Sequence, residues 1–306
     1  MPKRALAAYL TVLTILCVAV IGGARLLGRQ GAYLVQLYML TPALAAVITR
    51  LFFYQPRFRD AGLGLGRARD YLKFWLISLG IVALYFGGYT LSGAITWDLS
   101  GRTFLDRLAE QFEAAGQDML AGLPPGFTPQ TMLLVYFVGG LTVFNILPGI
   151  ITGFGEEFGH RGMMFPLLYR IRPWIAFVLG GLIWFAWHLP LALVGPQTGP
   201  PLSASLSILN LMVLAIGSIC TFTYLSYVYI RSRSIFVASV SHIAMNNASM
   251  SLSYFVVVQA QLVANLVTVL VMALLVAALQ LLGELGVFRE YFDKVLPQGV
   301  PAEGRQ

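Results

Sequence analysis

Eight long apolar segments constrain the fold of this 306-residue chain more than any other feature of its sequence. Each holds about 20 residues, the length of α-helix that crosses a bilayer core of ~30 Å. Charged residues make up only 11% of the chain, against about 25% in soluble domains. We therefore predict an all-α, polytopic transmembrane helix bundle of about eight spans, forming a single integral membrane domain over residues 1–306. The segments are residues 6–27, 32–54, 74–97, 131–155, 174–194, 206–230, 235–258 and 262–282.

The basic residues indicate how this bundle is oriented. If the spans alternate from a cytoplasmic N-terminus, 16 of the 20 lysines and arginines fall on the cytoplasmic side. This asymmetry is what the positive-inside rule expects of a cell-membrane protein with both termini in the cytoplasm. The net charge of +7 is therefore an orientation signal, and it gives no reason to expect a nucleic-acid partner.

A polar island interrupts the apolar sequence at residues 153–162. On a helix, Glu157 and Arg161 lie four residues apart with the acid first, the favourable order for an ion pair, and Glu156 has the same relation to His160. Ionisable groups at membrane depth indicate a functional site. The structural alternative is that both acids mark the water-facing end of a span.

The island lies in a stretch too long for one upright span. The 39 residues from 131 to 169 would cover ~58 Å as a straight helix. Pro148, Gly149, Gly153 and Gly155 predict a kink or break, and Gly149 and Gly153 also permit close packing by a neighbouring helix. Because a broken helix needs protein or water around its freed backbone groups, we expect the acids to face a cavity within the bundle.

Two further polar islands carry the remaining histidines. Counted from the turn at residues 170–173, Glu156 and His188 lie at matching depth, each ~21 Å away, on two antiparallel helices. His242 and Asn246 lie four apart and share a helix face. The alternatives are a satisfied buried histidine for His188 and an interhelical hydrogen bond from Asn246, worth ~1 kcal/mol.

The longest polar insertion, residues 98–130, contains a second kind of helix. Apolar residues recur at helical spacing near 103–120, with charged residues on the opposite side. This pattern predicts an amphipathic interfacial helix that ends before Gly122 and the Pro124–Pro125 pair. The helix lies on the outer face or caps a lateral opening, and the sequence leaves both interpretations open.

The order of the islands resembles a known family. Glu156-Glu157-x-x-x-Arg161, Trp184-x-x-x-His188 and His242-x-x-x-Asn246 are similar to the three motifs of the CPBP intramembrane proteases. That family takes in the type II CAAX prenyl endopeptidases and the bacteriocin-processing or self-immunity proteins called Abi. The resemblance covers residues 150–250, which would carry the catalytic core. It departs from the family at Trp184, where Phe is usual, and at His160, where a hydrophobic residue is common.

The resemblance implies an intramembrane endopeptidase that hydrolyses a membrane-associated peptide or protein, and the residue types suit that reaction. Glu156 with His188 would hold and deprotonate a water molecule. His242 and Asn246 would donate hydrogen bonds to the oxyanion, and Arg161 would hold Glu157 in place.

Three questions stay open at this point. The preferred mechanism requires no cofactor, but Glu156, His188 and His242 are also a sufficient ligand set for catalytic Zn²⁺. The alternative function is a non-proteolytic membrane protein, such as a bacteriocin-immunity or scaffold subunit or a proton-coupled carrier. Neither the substrate, prenylated or not, nor the oligomeric state follows from the sequence.

Overall fold

The structure is a computed structural model that describes residues 2–27, 34, 37–55, 57–114, 126–147, 149–191 and 207–295. Within these residues helices dominate, and the predicted all-α bundle is confirmed. The α-helices are α1 (Pro2–Leu26), α2 (Thr41–Phe52), α3 (Ala68–Leu91), α4 (Arg102–Ala114), α5 (Pro129–Leu141), α6 (Ile150–Gly159), α7 (Phe165–Ile171), α8 (Pro173–His188), α9 (Ile208–Ser232), α10 (Ile235–Ser253), α11 (Gln261–Leu281) and α12 (Gly286–Val295).

Four of these helices are long and apolar enough to cross a bilayer, namely α1, α3, α9 and α11. Three shorter apolar helices, α2, α5 and α8, fall inside or near other predicted segments. The apolar chain therefore divides into full-length and shorter helices, and the number of eight spans stays a prediction.

The chain between residues 129 and 171 is broken, as predicted. Helix α5 ends at Leu141, a short 3₁₀ helix follows (Val143–Ile146), and α6 begins at Ile150. Pro148, one of the residues that predicted the kink, lies outside the described residues. A second irregularity, a π-helical turn at His160–Met164, joins α6 to α7 and was not predicted. The hydrogen bond from the Phe165 amide to the His160 carbonyl closes this turn.

Glycines let α6 pack closely against its neighbours. A Cβ atom at Gly153 would come within 2.4 Å of the Ile243 side chain on α10. At Gly159 a Cβ atom would lie 2.3 to 2.5 Å from Cβ and the backbone carbonyl of Pro42 on α2. Any larger side chain would push these helices apart, so the sequence of α6 fixes its close contact with both α2 and α10.

A two-stranded ribbon was not predicted. Strand β1 (Ile95–Trp97) pairs antiparallel with β2 (Val256–Val258), and Ile95 lies opposite Val258. The ribbon joins the chain that follows α3 to the chain that follows α10. Because α10 also packs against α3, the ribbon closes one end of the same helix pair.

The amphipathic helix is present as α4, and residues 115–120 of the predicted range lie outside the described part. The Asp98 carboxylate accepts hydrogen bonds from the Ser100 hydroxyl at 2.5 Å and the Thr103 amide at 2.8 Å. These bonds stabilise the charged form, so they hold the pKa of Asp98 below its ordinary value. The Phe104 ring lies 4.3 Å from the Tyr254 ring, which holds α4 close to the end of α10.

Candidate active site

Glu156 and Glu157 lie in the last turns of α6, and both are buried. Their exposed fractions are 1% and 0%, so they do not mark a water-facing end of a helix. A buried carboxylate requires hydrogen-bonding or charged partners. The two acids have different partners, and they therefore form two separate halves of the site.

The first half consists of Glu156 with two residues of α8. The Trp184 indole nitrogen donates to Glu156 Oε2 at 3.1 Å, and His188 Nε2 lies 3.7 Å from the same oxygen. His188 Nδ1 lies 2.9 Å from the Trp184 carbonyl oxygen, to which it can donate. This bond directs Nε2 toward Glu156. The acid and the imidazole that the sequence placed at matching depth thus meet in the structure.

The second half consists of Glu157, Arg161 and His242. Arg161 Nη1 donates to Glu157 Oε1 at 2.9 Å, the ion pair that the spacing predicted. His242 Nδ1 lies 2.8 Å from the same oxygen, so one carboxylate oxygen joins α6 to α10. All three side chains are at least nine-tenths buried. His242 therefore hydrogen-bonds the second acid, Glu157.

Aromatic rings separate and support the two halves. The Arg161 guanidinium carbon lies 4.6 Å from the Trp184 ring centroid and 4.3 Å from that of Phe222 on α9. The Trp184 ring centroid is also 5.0 Å from that of His188 and 5.8 Å from that of His242. Trp184 thus touches both halves. The hydrogen bond from Trp184 to Glu156 was not predicted from the sequence.

Asn246 lies one turn beyond His242 but is exposed. The interhelical hydrogen bond considered for Asn246 is made instead by Asn247, whose side-chain nitrogen donates to the Asn145 carbonyl.

Asn145 is itself buried, and its side-chain amide donates to the Ala244 carbonyl at 3.3 Å. It also donates to the Gly140 carbonyl at 3.1 Å. Asn145 therefore fastens the broken part of the chain to α10, a role that its position in an apolar segment could have suggested.

His160, four residues after Glu156, forms no hydrogen bond with it in the described structure. Both of its ring nitrogens are buried without a hydrogen-bond partner among the described residues. The ring lies against Trp187, with centroids 5.3 Å apart. The carboxylate of Glu156 is oriented toward Trp184 and His188 on α8, so it does not reach the fourth residue along its own helix.

A cavity of about 390 Å³ opens beside His188, between α8, α9 and α11. The His188 side chain is 37% exposed, in contrast to the buried Glu156. Apolar side chains dominate the wall of the cavity, among them Leu189, Leu214 and Val269. A group that enters this cavity can therefore reach His188, and through it the carboxylate of Glu156.

Within the described ranges, no three histidine, cysteine or acidic side chains are grouped so that they could hold one metal ion. The candidate ligands Glu156, His188 and His242 divide between the two halves of the site. His242 Nδ1 is occupied by Glu157, and Glu156 lies with His188. The arrangement does not fit a three-ligand Zn²⁺ centre. That the reaction needs no metal stays a prediction.

The bundle and this site define the class of protein: a helical membrane protein with acids, imidazoles and a guanidinium group buried between its helices. The model of the Rce1-like family, described as type II CAAX prenyl endopeptidase Rce1-like, matches residues 138–248. This match, over about a third of the chain, confirms the resemblance to the CPBP family in the part that carries the three motifs. No curated protein matches the chain. The matched segment includes all three motifs and leaves α1 to α4 outside it.

Proposed function

We propose that the protein is an intramembrane endopeptidase in which Glu156 and His188 activate water against a peptide bond. The observation that carries this proposal is the arrangement of Glu156 Oε2, bonded to Trp184 and 3.7 Å from His188 Nε2, beside an open cavity. A base that works on a substrate needs a buried, oriented acceptor that the substrate can approach. Glu156 is this acceptor, and His188, which lines the cavity, is the residue that a substrate in the cavity can approach.

The gap between Glu156 and His188 suits a shared water molecule. At 3.7 Å the two atoms are too far apart for a good direct hydrogen bond, whereas one water can contact both. We propose that Glu156 removes a proton from this water as its oxygen attacks the peptide carbonyl carbon. Glu156 then transfers the same proton to the amine that leaves, which conserves protons over the reaction.

The oxyanion would be stabilised from α10. In its protonated form His242 donates Nδ1–H to Glu157 and keeps Nε2–H for the substrate oxygen. Glu157 and Arg161 then act as positioning residues, because their ion pair holds the imidazole in one orientation. The amide of Asn246, exposed one turn further along α10, is proposed as the second donor.

The proposed substrate is a peptide or protein segment in the membrane, the substrate class that the family implies. The apolar wall of the cavity beside His188 supports a hydrophobic segment near the cleaved bond. Cleavage of a prenylated CAAX protein and maturation of another membrane peptide are both compatible with such a segment. No step of the proposed mechanism passes through a metal.

The experiment compares the purified protein in lipid vesicles with its Glu156→Ala, His188→Ala and His242→Ala variants on membrane peptides, prenylated and unprenylated. We expect all three variants to insert normally and to lose cleavage by at least ~10²-fold. His160→Phe is the matched control, because His160 is a buried histidine without a hydrogen-bond partner in the described structure. It should keep activity. Full activity of Glu156→Ala would show that the base is wrongly assigned.

Metal content is measured on the same preparations. The metal-free mechanism expects activity that is independent of bound Zn²⁺ and persists after chelation. A loss of activity on chelation that added Zn²⁺ restores would replace it with the metal-dependent version. The non-proteolytic alternative predicts that wild-type protein cleaves none of the peptides.

A further inference from the structure

Arg50 lies near the end of α2, outside the segment that the family model matches. Only 1% of its surface is exposed. A buried guanidinium group is costly unless carboxylate or carbonyl oxygens surround it. Nothing in the proposed chemistry uses Arg50. Its partners therefore indicate why the protein keeps a charge there.

One arm of Arg50 contacts the π-turn that carries Arg161. Its Nη2 donates a hydrogen bond to the Gly162 carbonyl, immediately after Arg161. In an α-helix this carbonyl would accept from the amide four residues on, but that residue is Pro166, which has no N–H. The guanidinium group therefore supplies a donor where the sequence removes the usual one.

The other arm of Arg50 contacts the loop that follows α2. Its Nη1 donates to Asp60 Oδ1 at 2.8 Å and to the Arg57 carbonyl. Asp60 Oδ2 in turn accepts a hydrogen bond from the Tyr54 hydroxyl and lies 3.5 Å from Arg170 Nη2 at the end of α7. Asp60 thus connects this loop directly to the end of α7 and, through Arg50, to the π-turn.

The same loop also reaches the helix that carries His242. The Gly62 carbonyl accepts a hydrogen bond from the Ile235 amide at 2.9 Å, at the first residue of α10. Gly62 adopts a φ of +68°, and a Cβ atom there would lie 2.3 Å from the Tyr229 ring. Only glycine fits this position, so the contact between the loop and α10 depends on the local sequence.

We propose that Arg50 and Asp60 are positioning residues that set the π-turn against α10, and with it Arg161 and Glu157 against His242. The loop that follows α2 carries both Asp60 and Gly62, so it contacts both the segment with the π-turn and α10. This inference rests on the proposed function for its effect on catalysis. Its structural content, the coupling of the two helices, stands without it.

The test measures kcat, KM and folded fraction in vesicles for Arg50→Gln, Arg50→Lys and Asp60→Asn. Arg59→Gln is the matched control, because Arg59 lies exposed in the same loop and loses the same charge. We expect kcat of the folded fraction to fall about 10- to 100-fold in Arg50→Gln and Asp60→Asn, because small displacements of catalytic groups have effects of this size. KM should change less than about threefold.

Arg50→Lys should recover part of kcat, because an ammonium group can still bond one of the two acceptors. A purely structural role would lower the folded fraction and leave kcat of that fraction unchanged, which would overturn the proposal. If Arg50→Gln does not fold, Arg50→Lys and Asp60→Asn decide the question.

Hydrogen exchange of the same variants separates this inference from the hydrolase proposal. In Arg50→Gln, or in Asp60→Asn if the former does not fold, we expect faster exchange both in residues 163–169 and in residues 235–242. Arg59→Gln should match the wild type. If the wild type shows no cleavage, the hydrolase proposal fails while this measurement still applies. Unchanged exchange in both segments would refute the coupling.

Discussion

Removal of the Arg161 side-chain charge is the perturbation whose cost follows most directly from the structure. Arg161 and Glu157 have exposed fractions of 0%, and one hydrogen bond of 2.9 Å joins them. Arg161→Met keeps an unbranched apolar side chain between the rings of Trp184 and Phe222 but leaves the Glu157 carboxylate without its permanent positive partner. His242 would remain as the only polar neighbour that bonds Glu157 in the described structure.

The expected destabilisation is about 3–5 kcal/mol, the usual cost of leaving one member of a buried ion pair alone. Glu157 Oε2 already has no hydrogen-bond partner among the described side chains. No further hydrogen bond to that oxygen therefore offsets the loss of Arg161. In Arg161→Met/Glu157→Gln both charges are absent. We expect the double variant to be more stable than the single variant by about 0.5–3 kcal/mol, the range of coupling between residues in contact.

The assay is unfolding of the purified variants in detergent, followed by tryptophan fluorescence and by the fraction that remains monodisperse. Arg172→Met is the matched control, because Arg172 is exposed and has no described partner, and it should stay within about 0.5 kcal/mol of the wild type. Wild-type stability of Arg161→Met would refute the reasoning. So would a double variant that is no more stable than the single one.

Two further predictions concern packing and the base. Gly159→Ala should destabilise the protein by about 1–3 kcal/mol in the same assay, because its Cβ atom would overlap the backbone of α2; Gly80→Ala, with open space around it, should not destabilise it. Trp184→Phe should keep cleavage within about tenfold of wild type, because the ring remains while one hydrogen bond to Glu156 is lost; a complete loss of cleavage in the folded variant would contradict this.

The features that the sequence predicted well are those set by hydrophobic pattern and local spacing. Long apolar segments predicted the helices, and the interval of four residues predicted the bond between Glu157 and Arg161. The equal sequence distances of Glu156 and His188 from the turn between their helices predicted that the two side chains lie at the same depth, and they are 3.7 Å apart in the structure. These inferences need only regular helix geometry, and that geometry holds where they apply.

The features that were missed depend on which direction a side chain takes within the bundle. His160 has the same spacing from Glu156 as Arg161 has from Glu157, yet its ring packs against Trp187. His242 bonds Glu157 and not Glu156, because the rotation of α10 relative to α6 depends on contacts from other helices. Helical periodicity cannot supply that rotation.

The irregular parts of the backbone could not be predicted from the hydrophobic pattern either. The π-turn at residues 160–164 and the ribbon of β1 with β2 result from hydrogen bonds between distant parts of the chain. One local signal was available: Pro166 removes the amide that would bond the Gly162 carbonyl. Such a gap predicts an external donor, but the sequence does not show that Arg50 provides it.

The most direct test of the central claim is the source of the oxygen in the new carboxyl group. Purified protein in vesicles cleaves a membrane peptide in heavy-oxygen water, and mass spectrometry follows the N-terminal product over a single turnover. Water activation by Glu156 and His188 predicts one labelled oxygen atom in each product from the wild type, and no product from Glu156→Gln in its folded form. An unlabelled product, or cleavage by Glu156→Gln at the wild-type rate, would contradict the account.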